Sequence, residues 1–70
     1  MKTKQIVRLV RSLYPSAKIV RAHTGEVCVS MPENEMTDRE MDAMRDNIAS
    51  ALPEWAAVAE EPGALLSIRF

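Results

Sequence analysis

Residues with specialised chemistry are scarce in this sequence. It contains one cysteine, one histidine and two glycines among 70 residues. A single cysteine excludes an internal disulfide framework and fits a reducing compartment. One histidine and one cysteine do not make a zinc-binding cluster, and the two glycines form no Gly-rich phosphate loop. We therefore expect no metal site, no cofactor and no catalytic residues.

Long apolar stretches are also missing. No run approaches the roughly 20 residues needed to cross a bilayer, and the start of the chain lacks the apolar core of a signal peptide. With 47% hydrophobic and 27% charged residues, the composition is that of a globular protein. We expect one domain, residues 1–70, located in the cytoplasm. A chain this short buries only roughly 60% of its unfolded surface, so a homodimer or stabilisation by a partner stays open.

Acidic and basic residues are separated along the chain. Residues 1–31 hold six lysines and arginines against one acid, which gives +5, whereas residues 32–70 hold nine acids against three arginines, which gives −6. The total of −1 hides this division. It indicates either two surfaces of opposite sign or neutralisation between neighbours in the folded protein.

The clearest periodic signal lies in residues 37–52. Thr37 and Glu40 fit a capping box, which predicts that a helix begins there. Apolar residues then recur at spacings of three and four, and Pro53 ends the pattern. The predicted buried stripe consists of Met41, Met44, Ile48 and Leu52. Pro32 to Met36 is interpreted as a short polar connector before this helix.

A second amphipathic helix is predicted for residues 2–14, ending before Pro15. Ile6, Leu9, Val10 and Leu13 share one helical face. Lys4, Arg8 and Arg11 lie on another face, at spacings of four and three.

Two hairpins are predicted from the remaining residues. Thr24-Gly25 is typical of a two-residue turn, and Pro62-Gly63 is typical of the centre of a tight turn. Pairing outward from these turns places one set of side chains on a common core face. The predicted pairs are Val20 with Val29, Ala22 with Val27, Ala59 with Leu66, Ala57 with Ile68, and Trp55 with Phe70.

These elements predict an α+β fold of the form αββαββ, in which two helices pack on one face of a four-stranded antiparallel sheet. A right-handed crossover permits strand order 1-2-4-3 or 2-1-3-4. We favour 1-2-4-3 because the second and fourth strands are the least polar and so fit the middle of the sheet.

The reverse face of this sheet is half apolar and has no aromatic side chains on which bases could stack. It needs cover from a second copy or a protein partner, or it stays a weakly hydrated surface. Its predicted residues are Ile19, Arg21, His23, Cys28, Ser30, Val58, Leu65, Ser67 and Arg69.

The first functional hypothesis is a non-enzymatic protein-interaction module that acts through the acidic helix or this open face. Small acidic proteins without catalytic groups include inhibitors from phages and mobile elements, whose acids imitate phosphate. The predicted partner-binding residues are Asp38, Glu40, Asp42 and Asp46 on the helix, and Ile19, Arg21, Cys28, Leu65 and Arg69 on the sheet.

The alternative hypothesis is nucleic-acid binding by the basic N-terminal region, although the acidic total argues against it. Its predicted contacts are Lys4, Arg8, Arg11, Lys18 and Arg21. An enzyme ranks last, because Cys28 and His23 should share a sheet face without lying directly opposite each other. No membrane partner is expected.

Overall fold

Two helices and four strands make up the computed structural model, which describes residues 2–31 and 37–70. The predicted connector Pro32 to Met36 lies outside the described residues. In chain order the elements are α1 (Thr3–Leu13), β1 (Lys18–His23), β2 (Glu26–Ser30), α2 (Asp38–Ser50), β3 (Ala57–Glu61) and β4 (Leu65–Arg69). The predicted α+β fold, with two helices and a four-stranded antiparallel sheet, is confirmed.

Helix α1 is amphipathic, as its sequence predicts. Ile6 and Val10 are completely buried, whereas Lys4, Arg8 and Arg11 are exposed. The helix ends just before Pro15, whose ring is incompatible with a continuing helix.

Helix α2 begins at the predicted capping box. The Glu40 N–H donates to Thr37 Oγ1 at 3.2 Å, and the Thr37 N–H donates to Glu40 Oε1 at 3.2 Å. Met41, Met44 and Ile48 are buried along one stripe. The helix stops at Ser50, two residues before the predicted end, and Leu52 packs against the core from the following turn.

The strands lie in the order β1-β2-β4-β3, and all three neighbouring pairs are antiparallel. This confirms the favoured prediction. The two central strands are the most buried, whereas β1 and β3 form the edges. The apolar residues of the central strands β2 and β4 exclude water best, because a neighbouring strand covers each of them on both sides.

A single hydrophobic core joins both helices to one face of the sheet, which we call the core face. The helices contribute Ile6, Val10, Met41, Met44 and Ile48. The central strands contribute every second residue, as a pleated strand requires. These strand residues are Val27, Val29, Leu66 and Ile68.

A β-bulge in β1 overturns part of the predicted register. The turn at Thr24-Gly25 and the pair Ala22 with Val27 are confirmed, but beyond Arg21 the pairing shifts so that Ile19, and not Val20, lies opposite Val29. A bulge places one extra residue in its strand and so exchanges the faces of the residues beyond it. Ile19 therefore packs against the core, and Val20 is 50% exposed. The prediction of Ile19 on the open face was wrong.

The hairpin between β3 and β4 has a three-residue loop where the sequence predicts a two-residue turn centre. Glu61 pairs with Leu65, so Pro62, Gly63 and Ala64 form the connection. Gly63 and Ala64 both have positive φ angles, 85° and 58°. The extra loop residue shifts the register by one, which moves every side chain of β3 to the opposite face.

Several predicted positions are corrected by this shift. Val58 pairs with Ile68, and Glu60 pairs with Leu66, so both lie on the core face. Ala57 and Ala59 lie on the reverse face instead. Trp55 precedes the strand in a turn closed by the Ala56 N–H and the Pro53 carbonyl, and it is 62% exposed. Placing Trp55 in or at the edge of the core was therefore wrong.

Candidate partner-binding surfaces

A groove lies between the start of α2 and the loop that joins β3 to β4. Its volume is about 320 Å³. We call it the acidic groove, because three of its residues carry carboxylates. It is lined by Asp38, Met41, Glu60, Glu61, Pro62, Gly63 and Ala64.

Arg45 connects α2 to the strand beside this groove. Its Nη1 donates to Glu60 Oε2 at 2.7 Å, which is a short, charge-assisted hydrogen bond. The same guanidinium lies 3.7 Å from Asp42 Oδ1 and 3.3 Å from Asp46 Oδ1. One cation therefore serves three carboxylates.

The pKa of Glu60 is raised above its ordinary value of 4.5. The largest cause is a hydrogen bond between the Glu60 and Asp42 carboxyl groups, followed by desolvation and by repulsion from the Asp42 charge. Arg45 lowers the pKa, and Asp38 adds a smaller repulsion. Repulsion from the Asp42 charge affects the pKa of Glu60 more than the attraction of the single guanidinium does.

The predicted acidic residues of α2 differ in what surrounds them. Asp38, Glu40, Asp42 and Asp46 are all exposed. Asp38 lines the acidic groove, and the carboxyl group of Asp42 is the main cause of the raised pKa of Glu60. Glu40 is engaged in the helix cap, whereas Asp46 pairs with Arg45 on the far side of that cation.

Glu60 and Glu61 were missed as site residues. The assumed two-residue turn assigned Glu60 to the reverse face, away from α2. One signal pointed to the correct register: Val58 is the largest apolar residue of β3, and turning it inward also turns Glu60 toward the helix.

The reverse side of the sheet, which we call the second face, carries three rows of paired side chains. The first row is Lys18, Ser30, Leu65 and Glu61; the second is Arg21, Cys28, Ser67 and Ala59; the third is His23, Glu26, Arg69 and Ala57. Of the predicted sheet residues, Arg21, Cys28, Leu65 and Arg69 lie on this face.

Small side chains form the middle of the second face, and charged side chains lie around them. Cys28 and Ser67, at the centre, are only 1% and 4% exposed even though they point away from the core. Glu26 lies between two arginines, 3.5 Å from Arg21 Nη2 and 3.9 Å from Arg69 Nε. The face therefore offers small side chains within a charged border.

The basic surface predicted from the sequence spans α1 and β1. Lys4, Arg8, Arg11 and Lys18 are exposed, and no carboxylate among residues 2–31 and 37–70 pairs with them. Arg21 differs because it pairs with Glu26. A cleft of about 490 Å³ lies at one end of this surface, lined by Lys2, Thr3, Lys4, Thr24, Gly25 and Phe70.

In the described part of the chain, no three His, Cys, Asp or Glu side chains are arranged to hold a metal ion. Neither described helix has the length and apolarity needed to cross a membrane. The predicted absence of cofactors and of catalytic activity stays a prediction.

Comparison with known proteins identifies no related protein. The chain matches no protein-family model, and it has no significant similarity to a curated protein or to a solved structure.

Proposed function

We propose that this chain is a non-enzymatic protein-interaction module that binds a basic segment of a partner protein in the acidic groove. The observation that carries the proposal is the clustering of three carboxylates, those of Asp38, Glu60 and Glu61, around one groove. The raised pKa of Glu60, caused first by the hydrogen bond with the Asp42 carboxyl group and then by desolvation and repulsion from Asp42, agrees with this clustering. A lysine or arginine from a partner would relieve this repulsion, and Arg45 already does so in part.

The proposal depends on both helices covering the core face, with α1 beside β1 and β2 and α2 beside β3. The shared core of helix and strand residues supports this arrangement. In it, the first turn of α2 and the loop after β3 lie together at one edge of the fold, open to a partner.

A phosphate-binding protein is the kind of partner that best fits such a groove. Several carboxylates held close together by backbone elements present negative charge much as a phosphate backbone does. An inhibitor from a phage or another mobile element, directed at a host protein that binds nucleic acid, remains our specific hypothesis for this class.

A synthetic peptide of ten residues, rich in lysine and arginine, tests the groove directly. Fluorescence anisotropy should detect binding that weakens as salt rises, because exposed ion pairs are screened. The double substitution Asp38→Asn and Asp42→Asn should weaken binding about fivefold, as expected for the loss of two partly exposed ion pairs.

The matched control is Asp46→Asn with Glu54→Gln, which removes the same charge outside the groove and should change affinity by less than about twofold. Equal losses in the two double variants would show that the peptide responds to net charge only. Absence of peptide binding at low salt would contradict the proposal.

Nucleic-acid binding is retained as a second candidate function on one specific observation. Lys4, Arg8, Arg11 and Lys18 have no acidic partner among the described residues, unlike Arg21, Arg45 and Arg69. A gel-shift series with duplex and single-stranded DNA at rising salt tests it. The nucleic-acid hypothesis predicts that the protein slows the DNA on the gel at low salt. The double substitution Arg8→Gln with Arg11→Gln should abolish this mobility shift.

A further inference from the structure

The second face has a charge pattern that is complementary to itself. Consider a two-fold axis parallel to the strands, placed between the central strands β2 and β4. This operation turns the second face of one copy onto that of another, and it brings β1 over β3 and β2 over β4 while each row stays in place. An interface of this kind uses the same patch on both subunits.

Under this operation, oppositely charged residues meet at two corners and in the middle of the third row. In the first row, Lys18 lies opposite Glu61 of the partner subunit. In the third row, Glu26 lies opposite Arg69 of the partner subunit. Each pair occurs twice because of the symmetry, so the interface contains four ion pairs, two at the edge strands and two on the central strands.

Size is complementary as well. In the second row, Arg21 lies opposite Ala59 of the partner subunit, and Cys28 lies opposite Ser67 of the partner subunit. The small, nearly inaccessible central residues let the sheets approach to the roughly 10 Å typical of face-to-face packing. A rotation of about 30° between packed sheets displaces the corners by a few ångströms, which long lysine, arginine and glutamate side chains can span.

The other in-plane axis, across the strands, lacks this match. It would place Lys18 opposite His23 of the partner subunit and Glu26 opposite Ser30 of the partner subunit, without an opposite charge for either. Pairing at the sheet edges is also disfavoured, because the bulge interrupts β1 and β3 ends in two acids.

We propose that this chain forms a symmetric homodimer through the second face, with its two-fold axis parallel to the strands between β2 and β4. Strand spacings of about 4.8 Å and residue spacings of about 3.3 Å give the face a size of roughly 19 by 17 Å. This is smaller than a standard interface, so the dimer exchanges rapidly with monomer and has a Kd on the order of 10 to 100 μM.

The dimer does not depend on the function proposed above, but it affects how that function operates. Because the helices lie on the other side of each sheet, Asp38 and Glu60 stay open on the outside of the dimer, and each subunit keeps an acidic groove there. Glu61, at the border of the groove, pairs with Lys18 of the partner subunit instead. A partner with two basic segments would then bind both grooves with a gain from avidity.

Sedimentation equilibrium on the full chain from about 5 to 500 μM tests the dimer. The wild type should pass from monomer to dimer in this range. E26R brings cations together at two places in the middle of the third row, and R69E brings carboxylates together there. Each variant alone should therefore weaken dimerisation at least tenfold. Circular dichroism confirms that each variant is folded, and E54R and R39E are the controls of equal charge change.

Mixing the two variants gives the decisive result. In a mixed dimer of E26R with R69E, the new arginine at position 26 faces the new glutamate at position 69 at one site. At the other site the native Arg69 faces the native Glu26, so association should return to near the wild-type level. A wild type that stays monomeric to 500 μM, an E26R variant that dimerises normally, or a mixture that fails to associate would each overturn the proposal. None of these substitutions lies in the acidic groove, so peptide binding there is tested separately.

Discussion

Arg45 on α2 donates a 2.7 Å hydrogen bond to Glu60 on β3, which fastens the helix to an edge strand. Both partners are half-buried, with side chains 37% and 27% exposed. Their meeting depends on the register of the β3–β4 hairpin, because a slip of one residue would turn Glu60 to the other face. This contact also places the acidic residues of α2 beside those of the hairpin.

Replacing Arg45 with alanine should destabilise the fold. The substitution removes the bond to Glu60 and leaves the carboxylates of Asp42 and Asp46 without their cation. We expect Tm to fall by about 4 °C at pH 7 in a domain of this size, and by less in high salt. Differential scanning calorimetry measures the change. Arg39→Ala, on the exposed side of the same helix, should leave Tm within about 1 °C. An equal decrease in Tm for both variants would show that the Arg45–Glu60 contact does not stabilise the fold.

The titration of Glu60 should depend on Asp42. Asp42→Asn removes a negative charge and the carboxyl–carboxyl hydrogen bond, so the pKa of Glu60 should fall toward 4.5. NMR titration of the Glu60 side-chain carbon measures this. Asp46→Asn should leave the titration nearly unchanged, because Asp46 does not contribute to the raised pKa. If Asp46→Asn lowered it as much as Asp42→Asn, the assigned cause would be wrong.

The same raised pKa has a consequence for stability. Folded Glu60 holds its proton more tightly than the unfolded chain does, so its contribution to the free energy of unfolding is greatest below the unfolded pKa. That contribution is lost as the pH rises through the folded pKa. The free energy of unfolding, measured with urea, should therefore decrease more steeply between pH 4 and pH 7 for the wild type than for Asp42→Asn. The opposite order would show that Arg45 dominates this site.

Because of the bulge in β1, the neighbouring residues Ile19 and Val20 should contribute differently to stability. Ile19→Ala should cost about 1 to 2 kcal/mol, because Ile19 packs against the core. Val20→Ala should cost less than about 0.5 kcal/mol, because its side chain is half exposed. Urea denaturation of both variants gives the comparison. A larger cost at Val20 would restore the unbulged register predicted from the sequence.

The loop before β4 contains a removable backbone strain. Ala64 has φ of 58°, in the left-handed region that a Cβ atom disfavours. Ala64→Gly should stabilise the fold by about 0.5 kcal/mol, after the entropy cost of glycine in the unfolded chain is subtracted. Ala59→Gly, in the neighbouring strand, should instead destabilise it. Chemical denaturation distinguishes the two, and destabilisation by Ala64→Gly would contradict the three-residue loop.

Local signals accounted for the elements and for much of the acidic surface. The capping box at Thr37 and the spacing of Met41, Met44 and Ile48 predicted α2 correctly, because a helix is stabilised by contacts within a few residues. The same helix supplied Asp38 and Asp42 as candidate site residues. Trp55 was misplaced because the assumed two-residue turn at Pro62-Gly63 paired it with Phe70 on the core face, whereas the strand begins only at Ala57.

The sequence by itself determined which segments are helices and strands, where the hairpins turn, and that acidic and basic residues separate along the chain. Only the tertiary structure decided which side chains of the edge strands β1 and β3 lie on the core face. The bulge at Val20 and the loop at Ala64 each change a register by one residue, which moves Ile19, Val58 and Glu60 to the core face. A shift of one residue keeps the extended backbone of a strand but turns every side chain to the other face. Only packing against the helices therefore selects one register.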